Sequence, residues 1–341
     1  MHTKSKRIMF IFILLLLLLL LSGISLCLGQ YKVQASSVLG VMLNSIGLSA
    51  VPFQESDKAI IWFVRLPRVL IAIMVGGALA ISGAVMQGVF GNPLADPGIV
   101  GISAGASAGA VVAIALGFTS GNILAMPAFA FFGSLAAVAL TLFLSMRNGK
   151  IPVMTLLLSG VAVGMLLSAV TSGLLTIMNE QQTQQYLFWM VGGLDFRRWE
   201  HVYLALGPIS IGMFLMLLAA RHLNVLMLGE TEAKAVGMPV NLYRTGLLLL
   251  ASLTTAASVC VSGNIGFVGL IIPHMLRMIV GTDHRVLLPA SAIGGACFLL
   301  LCDTLGRTLI PPTEIRVGIM TAVLGTPYFL YLLRRLQKNI S

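Results

Sequence analysis

Apolar positions along this chain do not alternate with polar ones. They run in blocks of roughly twenty residues separated by short polar breaks. The blocks fall near residues 8–28, 69–89, 99–118, 123–146, 153–177, 203–220, 242–261, 265–280, 287–306 and 315–333. Wound as an α-helix, such a block reaches across a hydrocarbon core of about 30 Å. The pattern predicts an all-α integral membrane protein of about ten transmembrane helices, with residues 1–341 forming one polytopic domain. Continuous apolar runs exclude a membrane barrel, whose strands are short and alternating. The first run, Ile8 to Leu28, follows Lys4, Lys6 and Arg7, as a cleaved leader also would. No A-x-A site follows it, and Leu26 ahead of Cys27 spoils a lipoprotein site, so a retained first span is expected. Residues 29–64 read as a mixed polar segment. The 265–280 block is short and holds Pro273, so it is expected to begin as a broken or partial helix.

The block from Val69 to Val89 organises the rest. It carries no charge, its one strongly polar side chain is Gln87, and it is crowded with Gly76, Gly77, Ala80, Ser82, Gly83 and Ala84. In lipid, small residues mark places where helices approach closely, so this span is expected inside the bundle. It ends at GNPLADPG, where Pro93 and Pro97 stop a helix, and Asp96 is expected to cap a turn.

Composition agrees. With 58% hydrophobic and 9% charged residues, a soluble globular domain is excluded. The formal charge of +10 invites a nucleic-acid reading, but the basic residues are scattered singly between apolar runs, so no nucleic-acid partner is expected. With both termini in the cytoplasm, thirteen of the 21 Lys and Arg lie inside, among them Arg147 and Lys150, and eight outside. Cysteines and histidines show no metal spacing, and no G-x-x-x-x-G-K-[ST] loop or catalytic pair appears. No metal, cofactor or enzymatic activity is expected. In the longest inner loop, 221–241, Glu230 to Val236 has helix formers with acidic residues at the start and Gly237 and Pro239 as a stop. Its spacing alone fits an ordinary solvated turn better than a short helix. Asp303 and Arg307 stand four apart, so they can pair on one helix face.

RLPR, SGAVMQ and NPLADPG with GISAGA closely resemble the FecCD-type permease subunits of bacterial ABC importers for iron–siderophore complexes, haem and cobalamin. SGNIGFVGLIIPHMLR, TDHRVLLPAS, DTLGR and EIRVGIMTAVLGTPYFLYLL extend the resemblance from about Arg65 to the C-terminus. Arg316 is a departure, since the family more often has proline there. The resemblance implies type II importer architecture, in a homodimer or a heterodimer with a homologous permease. The partners it implies are a cytoplasmic ABC ATPase dimer, an extracytoplasmic substrate-binding protein and membrane lipid. It favours a short helix over Glu230 to Val236, against the spacing, and assigns ATPase coupling to Gly229, Glu230, Glu232, Ala233 and Gly237. Arg65, Arg68 and Arg307 become outer-surface arginines that receive the binding protein's glutamates, and Gln87, Asn92, Pro93, Asp96 and Pro97 pathway or packing positions. A ferric siderophore is the expected cargo, with cobalamin or haem as alternatives and an ion-coupled secondary transporter as the rival class.

Overall fold

A computed structural model describes residues 4–45, 47–48, 51–146 and 151–338, without the side chains of 332, 333 and 335–338. The loop expected to hold Arg147 and Lys150 lies outside the described residues. The chain opens with α1 (Lys4–Cys27), then α2 (Ala35–Ser45) and α3 (Glu55–Ala59). A π-helical stretch, Ile60–Arg65, carries α3 directly into α4 (Leu66–Phe90). The segment 29–64 is therefore largely helical, and the span expected at 69–89 is the inner part of a continuous helix from Glu55 to Phe90. Next come α5 (Ile102–Ala115), α6 (Ala125–Ser145), α7 (Val153–Ile177), α8 (Glu180–Met190) and α9 (Trp199–Leu218). Short helices α10 (Ala220–Leu226) and α11 (Glu230–Ala235) lead to α12 (Val240–Ser262), α13 (Val268–Val280), α14 (His284–Thr308) and α15 (Val317–Lys338).

Among the described residues there is no strand, and seven helices are long and apolar enough to cross a membrane. The other three expected spans coincide with α5, α13 and α15, whose apolar lengths are shorter. Helix α13 is short for a physical reason. The turn before it uses left-handed backbone at Gly263 (φ 71°) and Phe267 (φ 71°), so the helix cannot begin before Val268; Pro273 lies inside it. Helices α8 and α2 have no counterpart in the apolar pattern because they lie at the ends of the spans.

The spans alternate in direction, which defines two ends. The proximal end holds the start of α1 and the α10–α11 segment; the distal end holds the end of α1 and the start of α4. Helix α4 is the centre. Its most apolar stretch is 83% buried, against 17% for α7. It packs on α14, α12, α13 and α9, and glycines set the spacing. A Cβ at Gly76 would run into the Gly295 carbonyl on α14, and one at Gly83 into the Gly269 carbonyl on α13. A second block, α5 with α6 and α7, is joined to the first through the turn 91–98.

Gly83→Leu forces a side chain against a backbone oxygen that cannot rotate away. It should destabilise the purified protein by at least the about 1–3 kcal/mol of ordinary overpacking. Gly246→Ala, which faces open space inside α12, should not lower the unfolding temperature in detergent and should raise it slightly.

Candidate functional site

Among the described residues, the densest group of charges lies at the distal end. Helix α1 stops at Cys27 and leaves carbonyls without intrahelical partners. Arg65 donates to the carbonyls of Leu26 and Tyr31. Arg307 donates to the Ser25 hydroxyl at 2.7 Å and to the Ser25 and Leu28 carbonyls at 3.2 Å. Asp303 lies one turn before Arg307 on α14, 3.1 Å from it, so the pairing read from the spacing is present. The same carboxylate meets Arg68 of α4 at 2.9 Å. Arg68 also reaches Glu314 at 2.9 Å and Asp195 at 3.2 Å. Asp195 in turn meets Arg316 at 3.4 Å, and Arg316 donates to the Phe188 carbonyl and lies over the Phe188 ring. Arg316 thus ties the start of α15 to the end of α8.

Exposure departs from expectation here. Arg65, Arg68 and Arg307 were expected on an outer surface, but they are 4%, 9% and 4% exposed. Guanidinium groups held where water is scarce must find acceptors within the protein, and these three have found them. Apart from Lys32 just past the end of α1, the exposed cationic side chain described at this end is Arg198, with Arg197 and Arg316 partly covered. Together with Arg68, Asp195 and Glu314 they line a mouth of about 560 Å³. Asp195 and Glu314 carried no sequence signal, because they sit in separate loops far from Arg68 in the chain.

At the proximal end α11 protrudes from the bundle. Gly229 starts it in a backbone conformation (φ 119°) that favours glycine, and Gly237 (φ 80°) leaves it in another. Ala233 is fully buried, whereas Leu228 and Val236 are exposed beside it. Glu230 meets Lys234 at 2.6 Å and Arg244 of α12 at 3.3 Å, which straps α11 to α12. Glu232 lies against Gly229.

The turn 91–98 is built as expected around Asp96, whose carboxylate accepts from the Gly98 amide at 2.7 Å and caps a short 3-10 turn that opens with Pro97. Asn92 accepts from the Leu94 amide at 2.9 Å, and Asn92 and Pro93 are exposed. Gln87 is buried and donates to the carbonyls of Gly269 and Leu270 at 3.4 and 3.1 Å, across the α4–α13 approach.

A family model described as the FecCD transport family matches residues 14–335. The chain belongs to this family. The cobalamin import system permease protein BtuC of Halobacterium salinarum is 47% identical over 82% of this chain and 74% of its own length. The hemin transport system permease protein HmuU of Yersinia pestis is 45% identical over 82% of this chain and 85% of its own. A solved metal-chelate type ABC transporter in an inward-facing conformation superposes with a TM-score of 0.84 at 34% identity, covering 95% of this chain and 98% of its own. This FecCD permease is thus a multi-pass transport component rather than an enzyme, with the all-α architecture of the ABC permeases.

Arg68→Gln leaves Asp303 buried beside only one cation, and breaking such a pair costs about 3–5 kcal/mol. The unfolding temperature should fall sharply, Asp303→Asn added to it should cost less than the sum of the two, and Arg198→Gln should change nothing. For α11, the hydrogen bond from Lys234, aided by Arg244, holds the Glu230 carboxyl below the usual range. A lowered carboxyl stabilises above its free value and loses that contribution as pH falls through the lowered one. Protection of the α11 amides, relative to their unstructured rates at the same pH, should therefore persist at about pH 5 and fall only below the ordinary glutamate range, whereas Glu230→Gln should lower it at neutral pH.

Proposed function

We propose that this FecCD permease passes a metal chelate across the bacterial cytoplasmic membrane, driven by a pair of ABC ATPases seated on α11. The observation that carries the reading is α11 itself. It is a helix clamped to the bundle through Ala233 and Glu230 yet flanked by exposed Leu228 and Val236 outside the spans, which fits a socket in a partner. Gly229, Glu232 and Gly237 shape the same element. The proximal end is then cytoplasmic, with both termini, in line with the bias of basic residues.

The thinly buried α7 suits contact with a second permease, identical or homologous. At the distal end, the mouth around Arg68, Arg198 and Arg316 is where acidic groups of a substrate-binding protein would be steered. Arg65 and Arg307 act beneath it by holding the end of α1. Gln87, Asn92, Pro93, Asp96 and Pro97 shape the packing and the turn beside the pathway rather than gripping cargo.

For cargo, two relatives at 45–47% identity are named for metal-centred macrocycles, cobalamin and haem. That favours a macrocyclic chelate over the ferric siderophore expected from the motifs. Uptake by cells lacking only this chain decides it, with labelled cobalamin, haem, and hydroxamate and catecholate iron complexes. One macrocycle should fail to enter. The gene should restore it, whereas Leu228→Asp with Val236→Asp should not, despite equal membrane levels. Loss confined to an iron–siderophore complex would return the siderophore reading, and full activity of the doubly charged variant would remove α11 as the ATPase seat.

A further inference from the structure

Behind Arg197, on the side away from the distal mouth, lies a cavity of about 180 Å³ between the α5–α6 turn, α8 and the start of α9. Thr119 apart, whose hydroxyl donates to Gln185, the polar side chains that line it keep donors to spare, although one Arg197 Nη already donates to the Gly193 carbonyl at 3.4 Å. Gln185 accepts from the Thr119 hydroxyl, which leaves its amide hydrogens. Asn122 accepts from the Leu124 amide, which leaves the same. His201 accepts through Nδ1 from the Arg198 amide, so its neutral ring carries the proton on Nε2. The Trp189 indole N–H and the Arg197 Nε–H are buried with no acceptor. Buried donors are rarely left unpaired in native proteins.

Charge points the same way. Among the described residues no acidic side chain lines the cavity, and the nearby Asp195 is already engaged by Arg68 and Arg316. Burial pulls the Arg197 guanidinium down to about 10, so it remains a cation at neutral pH in a costly place. An occupant with several acceptor oxygens and negative charge would relieve both conditions.

A second space adjoins the first. Pro127 and Cys260 line both, and the second, about 210 Å³, runs one to two turns deeper between α6, α9 and α12. Its walls are Phe131, Phe132, Leu204, Pro208 and Ala257, and Phe132 is 67% exposed on the outer face of the bundle. At the level of the first cavity, Trp199 packs against the rings of Trp62 and Tyr203, centroids 5.5 and 5.9 Å away. Such aromatic rings mark the headgroup depth of a bilayer.

We propose that the two spaces form one site for an anionic phospholipid. The donors around Arg197 take its phosphate, and an acyl chain lies along α6 and α9 below. The lack of a carboxylate in the wall selects a headgroup without an ammonium group, such as phosphatidylglycerol, over phosphatidylethanolamine. A bound lipid would brace α8, on the rim of the distal mouth, against α9 from the membrane side.

The test uses the full chain purified in mild detergent, in a form with Cys27, Cys297 and Cys302 replaced by alanine so that Cys260 reports on the site. Native mass spectrometry should find one phosphatidylglycerol retained per chain. Adding that lipid should slow modification of Cys260 by methyl methanethiosulfonate about tenfold, whereas phosphatidylethanolamine and inorganic phosphate should not. Arg197→Gln should abolish retention and protection, and Arg198→Gln, one residue on, should keep both. Equal protection by inorganic phosphate would make this a free oxyanion site, and equal protection by phosphatidylethanolamine would remove the headgroup selection. Absence of both retention and protection would leave water as the occupant. Each of these overturns the proposal, and the comparison of the three ligands on unmutated Arg197 stands whether or not Arg197→Gln folds.

Discussion

Backbone against backbone along α4 is the constraint on which the rest of this bundle depends. In lipid, moving an apolar helix from hydrocarbon into a protein interior gains little, so dispersion between closely fitted surfaces must hold it there. Gly76 against Gly295 and Gly83 against Gly269 bring α14 and α13 onto α4 at a separation no larger side chain would allow. Such close packing leaves almost no room for polar groups along the length of α4. Gln87 is tolerated because its amide donates to carbonyls of the very helix that approaches.

The charges therefore gather at the two ends, and each end uses them to close a gap in the backbone. Distally, the last carbonyls of α1 fall where water is scarce, and Arg65 and Arg307 supply the missing donors. Asp303 then binds Arg307 and Arg68 together, so α4 and α14 are pinned where their close approach begins. Proximally, Asn224 of α10 donates to Asp283 at 2.7 Å and accepts from the His284 amide at 2.9 Å, while Arg7 lies 3.9 Å from Asp283. The starts of α1 and α14 are thereby latched to α10, a few residues before α11.

What could be read from the sequence follows this division. Lipid demands long apolar helices, so the spans were visible as blocks, and glycine density marked α4 as central before any contact was known. Local spacing revealed the Asp303–Arg307 pair and the Asp96 cap. The partners of Arg68 were hidden, since Asp195 and Glu314 meet it only through the fold, and with them went the burial of the three arginines. Helix α8 leaves no mark in the apolar pattern because EQQTQQ is not apolar. Its capping box, Asn179 with Gln182, was a readable start signal that a search for spans passes over.

Motion in such a bundle is confined by the same packing. Helices α4, α12, α13 and α14 form one tight block, and α5, α6 and α7 form another in which Gly105 and Gly133 repeat the close approach. Blocks joined through backbone contact move as units, because packed interiors shift between discrete arrangements rather than deform. The turn 91–98 is the short covalent link between them, and its prolines and cap make it a defined corner rather than a loose tether. Helix α11 is fastened to α12 through Glu230 and reaches α14 through α10, so both attachments lead into the first block. A displacement applied at α11 would therefore act first on that block, which also leans on the second where α12 packs against α6 and α5.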